Sequence, residues 1–190
     1  MSEIFLFGDT ETTGFKKNGN LIQEGQGRVC QLALLLTDDQ GRSLAEFCSY
    51  IKPDGWVIGE GAQKVHGITM EQCEKFGLSM NAVFMLYKRL ADMATQIIAH
   101  NSDFDKGMMQ IEEAYFNQAR KEMEFVVVNT PWFCTMKPNT HITGGKWPKL
   151  NEALKHFCQR DLGDMAHDAM HDVKACRDIF FAMRGIKVAA

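Results

Sequence analysis

A mixed α/β sheet, with an antiparallel meander along one edge and helices on its faces, is the fold class that this sequence predicts. Three observations predict it. Residues 4–51 hold three β-like runs in succession, joined in part by a tight turn. The second half shifts from a period of two to helical spacing. Short apolar runs, too brief for helices, sit between the helical segments, so strand and helix alternate and the added strands should be parallel. At 190 residues the chain fits one domain, residues 1–190, large enough to bury about 70% of its unfolded surface around a single core.

The elements follow in order. Ile4 to Asp9 is apolar up to a closing carboxylate and reads as a buried strand. Arg28 to Thr37 (RVCQLALLLT) is a second, and Asp38-Asp39-Gln40-Gly41 supplies the φ freedom of a tight reversal. Ser43 to Ile51 is the third strand, ending ahead of Pro53. From Ser79 to Ala94 the apolar residues Val83, Leu86, Leu90 and Met93 recur on one helical face behind Ser79, a natural N-cap. Gln96-Ile97-Ile98-Ala99 reads as a fourth strand, Phe104 to Arg120 as a helix, and Phe125 to Val128 as the fifth strand. Leu150 to Phe157 and Ala169 to Met183 are predicted helices. Lys16 to Gly27 and Asn139 to Pro148, rich in Gly, Asn and Lys, are predicted surface loops that could border a site. No repeat, low-complexity tract or long linker interrupts the pattern.

Composition narrows the class. Hydrophobic residues at 45% and charged residues at 24% are ordinary for a globular protein, and no apolar stretch is long enough to span a membrane. Met1-Ser2-Glu3 lacks the basic region and cleavage pattern of a secretory signal, so a cytoplasmic setting and no membrane partner are expected. The six cysteines are dispersed, with no Cys-x-x-Cys pair of the kind that binds zinc or exchanges disulfides. A net charge of −3 argues at first against a nucleic-acid partner. That balance turns positive if four carboxylates are occupied by metal, and local basic residues then matter more than the total.

Asp9 and Glu11 carry the strongest chemical signal. Residues i and i+2 of a strand share a face, so the two carboxylates would crowd together with no Lys or Arg nearby before Lys16. A divalent cation with oxygen ligands is the simplest positive partner, against the plainer alternative of a solvated strand end. Two later segments offer further ligands. In His100-Asn101-Ser102-Asp103-Phe104-Asp105 the fourth strand hands over to a helix, at the strand end where ligands of open α/β sheets collect. Asp103 and Asp105 compete there, and either could instead cap the helix. In His167-Asp168-Ala169-Met170-His171-Asp172, His167 and Asp172 are five positions apart and converge only if His167 lies on the loop before the helix.

Taken together, Phe7-Gly8-Asp9-Thr10-Glu11-Thr12-Thr13-Gly14, His100-Asn101 with Phe104-Asp105, and His167-x-Ala169-x-x-Asp172-Val173 resemble the three motifs of DnaQ-like 3′→5′ exonucleases of the DEDDh type. Tyr50-Ile51-Lys52-Pro53 and Val65-His66-Gly67-Ile68-Thr69 resemble the stretch between the first two motifs in proofreading subunits of bacterial replicative polymerases. Lys149-Leu150-Asn151-Glu152-Ala153-Leu154 resembles the helix ahead of the third. The likeness runs from about residue 4 to residue 183.

The resemblance implies an RNase H-like exonuclease fold with a mixed five-stranded sheet. It implies that Asp9, Glu11, Asp105 and Asp172 bind two Mg²⁺, with Mn²⁺ as a substitute, and that His167 is the general base. Asp103, Asp168 and His171 fall outside the pattern. Of the substrate-binding candidates, Thr12 and Thr13 would address the terminal sugar or phosphate, Phe15 and Phe104 the bases, and His66 and Asn101 the surroundings of the terminal nucleotide. Lys16, Lys17, Arg28, Lys146 and Lys149 are candidate phosphate contacts. The chain departs from the family at Gln31, where many members carry Glu, and in the polar loop from Lys16 to Gly27. The expected activity is removal of nucleotides from 3′ ends, with single-stranded DNA favoured over RNA. The alternatives are an exoribonuclease of the RNase T or oligoribonuclease type and a proofreading subunit. A DNA polymerase or other replication or repair protein is a candidate partner, although little sequence follows the last helix and an independent enzyme is expected.

Overall fold

The computed structural model describes residues 2–120, 125–163 and 168–188. Its sheet contains β1 (Ile4–Thr12), β2 (Val29–Asp38), β3 (Ser43–Tyr50), β4 (Gln96–Ala99) and β5 (Trp132–Cys134) in the order β3-β2-β1-β4-β5. The first three strands form the expected antiparallel meander, and β4 and β5 join in parallel. The turn from β2 to β3 rests on Asp38, whose carboxylate accepts the N–H groups of Gln40 and Arg42, and on Gly41 at φ 79°.

Among the described residues six α-helices accompany the sheet: α1 (Glu60–His66), α2 (Met70–Phe76), α3 (Met80–Met93), α4 (Ser102–Ala119), α5 (Leu150–Cys158) and α6 (Ala169–Met183). Ser79 caps α3 as predicted, accepting from the Ala82 N–H. The side chains of β1 alternate between two cores. Leu6 belongs to the larger core with residues of α3 and α4, whereas Phe5 and Phe7 belong to a second with Ala169, Val173, Cys176, Phe180 and Phe181 of α6. In that second core the rings of Phe5 and Phe180 meet edge to face at 5.0 Å.

Three local expectations are corrected. Residues 125–128 are not a strand, because side chains rather than a ladder take up their backbone groups. Asn117 bonds both the N–H and the C=O of Val126, and Glu113 accepts the N–H of Val128. The fifth strand forms seven residues further on, after Pro131. The segment from Asn139 is not wholly a surface loop, since Lys137–Thr143 is a 3-10 helix whose buried Asn139 donates to the Thr135 carbonyl at 2.7 Å. Helices α1 and α2 lie where none was predicted. The first stops at Gly67 (φ 72°), and the second starts with a Thr69–Gln72 capping box. No helix among the described residues is long and apolar enough to cross a membrane.

Candidate active site

The site starts from a mismatch in strand length. β1 runs to Thr12, but its last pairing with β4 is Phe7 with Ile98. Beyond that point one edge of β1 has no neighbouring strand, and the first turn of α4 fills the gap. The Thr10 N–H donates to Asp105 Oδ1 at 3.0 Å and the Thr10 hydroxyl donates to the same oxygen at 2.8 Å. Asp105 also sits in the positive field of the α4 N-terminus. Asn101, in the left-handed region at φ 69° and ψ 48°, makes the turn from β4 into that helix.

The alternation that sends Phe5 and Phe7 towards α6 sends Asp9 and Glu11 the same way, one and two steps nearer the strand end. Asp172 meets them from the first turn of α6. Asp168 caps that helix, its carboxylate accepting the His171 N–H at 2.9 Å. Asp103 is exposed and paired with Lys137 at 2.5 Å, so of the two competing aspartates it is Asp105 that turns inward. His167 lies outside the described residues.

Electrostatics bind the acids into one unit. Asp9 is held well above the usual carboxylate range by burial and then by Asp105, Glu11 and Asp172. Glu11 is pushed up to about 8 by burial and then by Asp172, Asp105 and Asp168. Burial lifts Asp105 to about 7 against the pull of the Thr10 hydrogen bonds. Among the described residues, no three His, Cys, Asp or Glu side chains form a ready-made metal cluster. The carboxylate oxygens of Asp9, Glu11 and Asp105 nevertheless suit hard divalent ions, which would offset the mutual repulsion of these acids.

Around this centre the other candidates divide. The Thr13 hydroxyl accepts the Arg28 N–H at 3.0 Å, and that of Thr12 donates to the Gly14 carbonyl. Both hydroxyls thus brace the loop after β1. His66 Nδ1 accepts the Ile68 N–H at 3.0 Å, which in the neutral ring leaves the proton on Nε2, 3.2 Å from the Thr12 carbonyl. Phe15 is 83% exposed and stands edge-on to the half-buried Phe104, ring centroids 6.4 Å apart. Lys16, Lys17, Lys146 and Lys149 are exposed. Arg28 is not available to phosphate. It is 5% exposed, makes two hydrogen bonds of 2.9 and 2.8 Å to the fully buried Glu112, and stacks on Tyr115.

Two contributors escaped the sequence reading. Thr10 holds Asp105, a role that its alternation to the α4 side of β1 signals only once α4 is placed there. His100 is kept neutral by burial and bonds Thr135 Oγ1 and the Pro148 carbonyl, each at 2.9 Å. It thereby ties the strand end before Asn101 to the segment entering α5.

Comparison with known proteins gives the family and the fold. An exonuclease family model, that of RNase T, matches residues 6–180. The chain belongs to this exonuclease family. Its fold is also that of exonuclease I. The Escherichia coli enzyme in complex with a dA16 oligonucleotide superposes with a TM-score of 0.67 at 22% identity, over 97% of this chain and 41% of that one. Exonuclease I from Methylocaldum szegediense gives 0.69 at 18% identity, over 96% and 40%. The chain thus spans about two-fifths of the exonuclease I structures that it matches. Among curated proteins no sequence match is found.

Proposed function

We propose that this exonuclease domain removes nucleoside 5′-monophosphates from the 3′ ends of single-stranded DNA in a reaction that requires two divalent cations. The observation that carries the reading is the convergence of Asp9, Glu11, Asp105 and Asp172, from three elements, where burial and mutual repulsion raise the carboxyls of Asp9 and Glu11. A site built only to bind a polyanion would gain nothing from four acids where phosphate must go. Structures of E. coli exonuclease I include complexes with dA16 and dT13 and a zinc-bound form with single-stranded DNA, which supports the substrate class and a metal requirement.

Asp9, Glu11, Asp105 and Asp172 would hold the two ions, Mg²⁺ or in its place Mn²⁺. Such a pair, when bound, supplies an acidified water and a counter-charge for the leaving oxygen. Thr10 keeps the Asp105 carboxylate oriented and favours its charged form. His167 would take the proton of the attacking water on its imidazole and return it to solvent, the role of a general base. Phe15 and Phe104, arranged edge to face at the rim, suit unpaired bases, which stack on aromatic rings without regard to sequence.

The test is a time course on 5′-labelled single-stranded DNA, duplex DNA and RNA with Mg²⁺ or EDTA. A ladder shortening from the 3′ end of the single strand, in Mg²⁺ only, is expected. Internal cleavage or a metal-independent product overturns the proposal. His167→Ala should retain metal binding and lower turnover by about 10²–10⁴-fold, whereas parental turnover would remove His167 from the base role.

A further inference from the structure

Trp147 is unexplained by anything above. It lies in Lys146-Trp147-Pro148-Lys149, ahead of α5, with its side chain 65% exposed. The backbone on either side of it is pinned. The Thr143 hydroxyl donates to the Lys146 carbonyl, the buried Pro148 offers its carbonyl to His100 Nε2 at 2.9 Å, and the Lys149 N–H donates to Glu152 at 2.7 Å. Proline also holds the residue before it in an extended conformation. A large aromatic ring is therefore held out to solvent on a fixed strap, an arrangement that contributes contact area at little further loss of conformational freedom.

Place and charge say what would cover it. Leu150, next after Lys149, packs into the core that contains Phe5, Phe7, Ala169 and Val173, so the strap lies on the sheet face from which Asp9, Glu11 and Asp172 approach. His100, its other anchor, stands at the end of β4 just before the Asn101 turn into Asp105. The strap thus lies on the same face as the acid cluster and at the same end of the sheet, where the parallel strands β1 and β4 both finish. The exposed Lys146 and Lys149 flank the indole, and neither is in an ion pair among the described residues. An exposed ring between two unpaired cations matches a base between two phosphates.

We infer that Trp147, with Lys146 and Lys149, is a stacking platform for an unpaired base of the strand being degraded, separate from the Phe15–Phe104 pair. The inference rests on the proposed single-strand activity. Trp147→Ala and Trp147→Phe test it, their folding checked by thermal melting. Binding of a fluorescein-labelled 12-mer of dT is measured by anisotropy with Ca²⁺ in place of the catalytic metal. It is compared with binding of the same 12-mer made abasic throughout. Trp147→Ala should weaken dT binding by about 5- to 150-fold, the worth of one stacked base, and leave the abasic strand unaffected, while Trp147→Phe restores most of the loss. In turnover with Mg²⁺ the same loss should enter KM rather than kcat, as for binding remote from the reacting bond. An unchanged dT affinity, which would leave the indole to a protein partner, overturns the inference, and so does an equal loss on both strands. Wild-type protein that binds dT yet releases no nucleotide would sink the proposed activity and leave the platform standing. Wild-type protein that binds neither strand sinks both.

Discussion

Helix α4 carries two buried carboxylates of opposite fate. Glu112 has no exposed surface, and burial lifts its carboxyl, but Arg28 grips both its oxygens and the Val29 N–H adds a third hydrogen bond that draws it back. Asp105, two turns earlier on the same helix, is also buried and is drawn down by neutral donors, the two of Thr10 and a backbone N–H. Near it stand Asp9 and Glu11, whose carboxyls are raised by burial and by the neighbouring acids, Asp172 among them. Arg28 serves as the counter-ion that locks Glu112 of α4 against β2, whereas at Asp105 the neighbouring acids repel one another. Buried carboxyls that repel one another are costly to a fold, and strongly perturbed groups of this kind gather at functional sites.

Experiments can break this contrast, starting with the largest effect. Asp9→Ala removes the acid that burial and three neighbours all act on. It should abolish calorimetric binding of Mg²⁺ and lower hydrolysis by at least about 10³-fold, the several kcal/mol that metal assistance provides. In metal-free buffer the same variant should melt higher than the parent, because one member of a repelling group is gone. Arg28→Ala should do the reverse. Leaving Glu112 charged and unpaired costs about 3–5 kcal/mol, read as a lower urea midpoint, and removing both partners in Arg28→Met with Glu112→Leu should recover much of it. A double variant as unstable as the single would show that the pair is not a closed unit.

Thr10→Val keeps the backbone donor to Asp105 and deletes the hydroxyl. A hydrogen bond to a charged group is worth about 1.5–3 kcal/mol, and a loss of about 10-fold or more in kcat/KM at neutral pH is expected, easing as pH rises and Asp105 ionises again. A flat ratio across pH would separate Thr10 from the Asp105 charge. The smallest effect is on metal-free stability. Asp9, Glu11 and Asp105 bind protons more tightly folded than unfolded, so they stabilise the fold fully below about pH 4. That contribution is lost as pH rises through about 7 for Asp105 and about 8 for Glu11. The melting temperature should therefore fall between pH 5 and pH 8.5 without metal and fall less with Mg²⁺. Equal slopes in both buffers would mean that the acids do not share a cation.

Much of this was legible in the sequence because it depends on local pattern. Period two placed Asp9 with Glu11, period 3.6 gave α3 and α6, and the Asp38–Gly41 turn joined β2 to β3. What escaped depends on distant partners. Nothing near Arg28 in sequence reveals Glu112, so it read as a candidate phosphate contact. Phe125 to Val128 has the composition of a strand and lost that role to Asn117 and Glu113 on α4. Thr10 and His100 are ordinary polar residues until β1 is seen to outrun β4.

That overrun leaves Thr10 to be met by the start of α4, and the other half of the site waits for α6, the last helix described. A ribosome adding about 5–20 residues per second delivers Asp9 and Glu11 first and Asp172 last. Because these contacts join residues far apart in sequence, they belong to the slowly formed class. The growing chain displays Asp9 and Glu11 long before α6 can bring Asp172 to them.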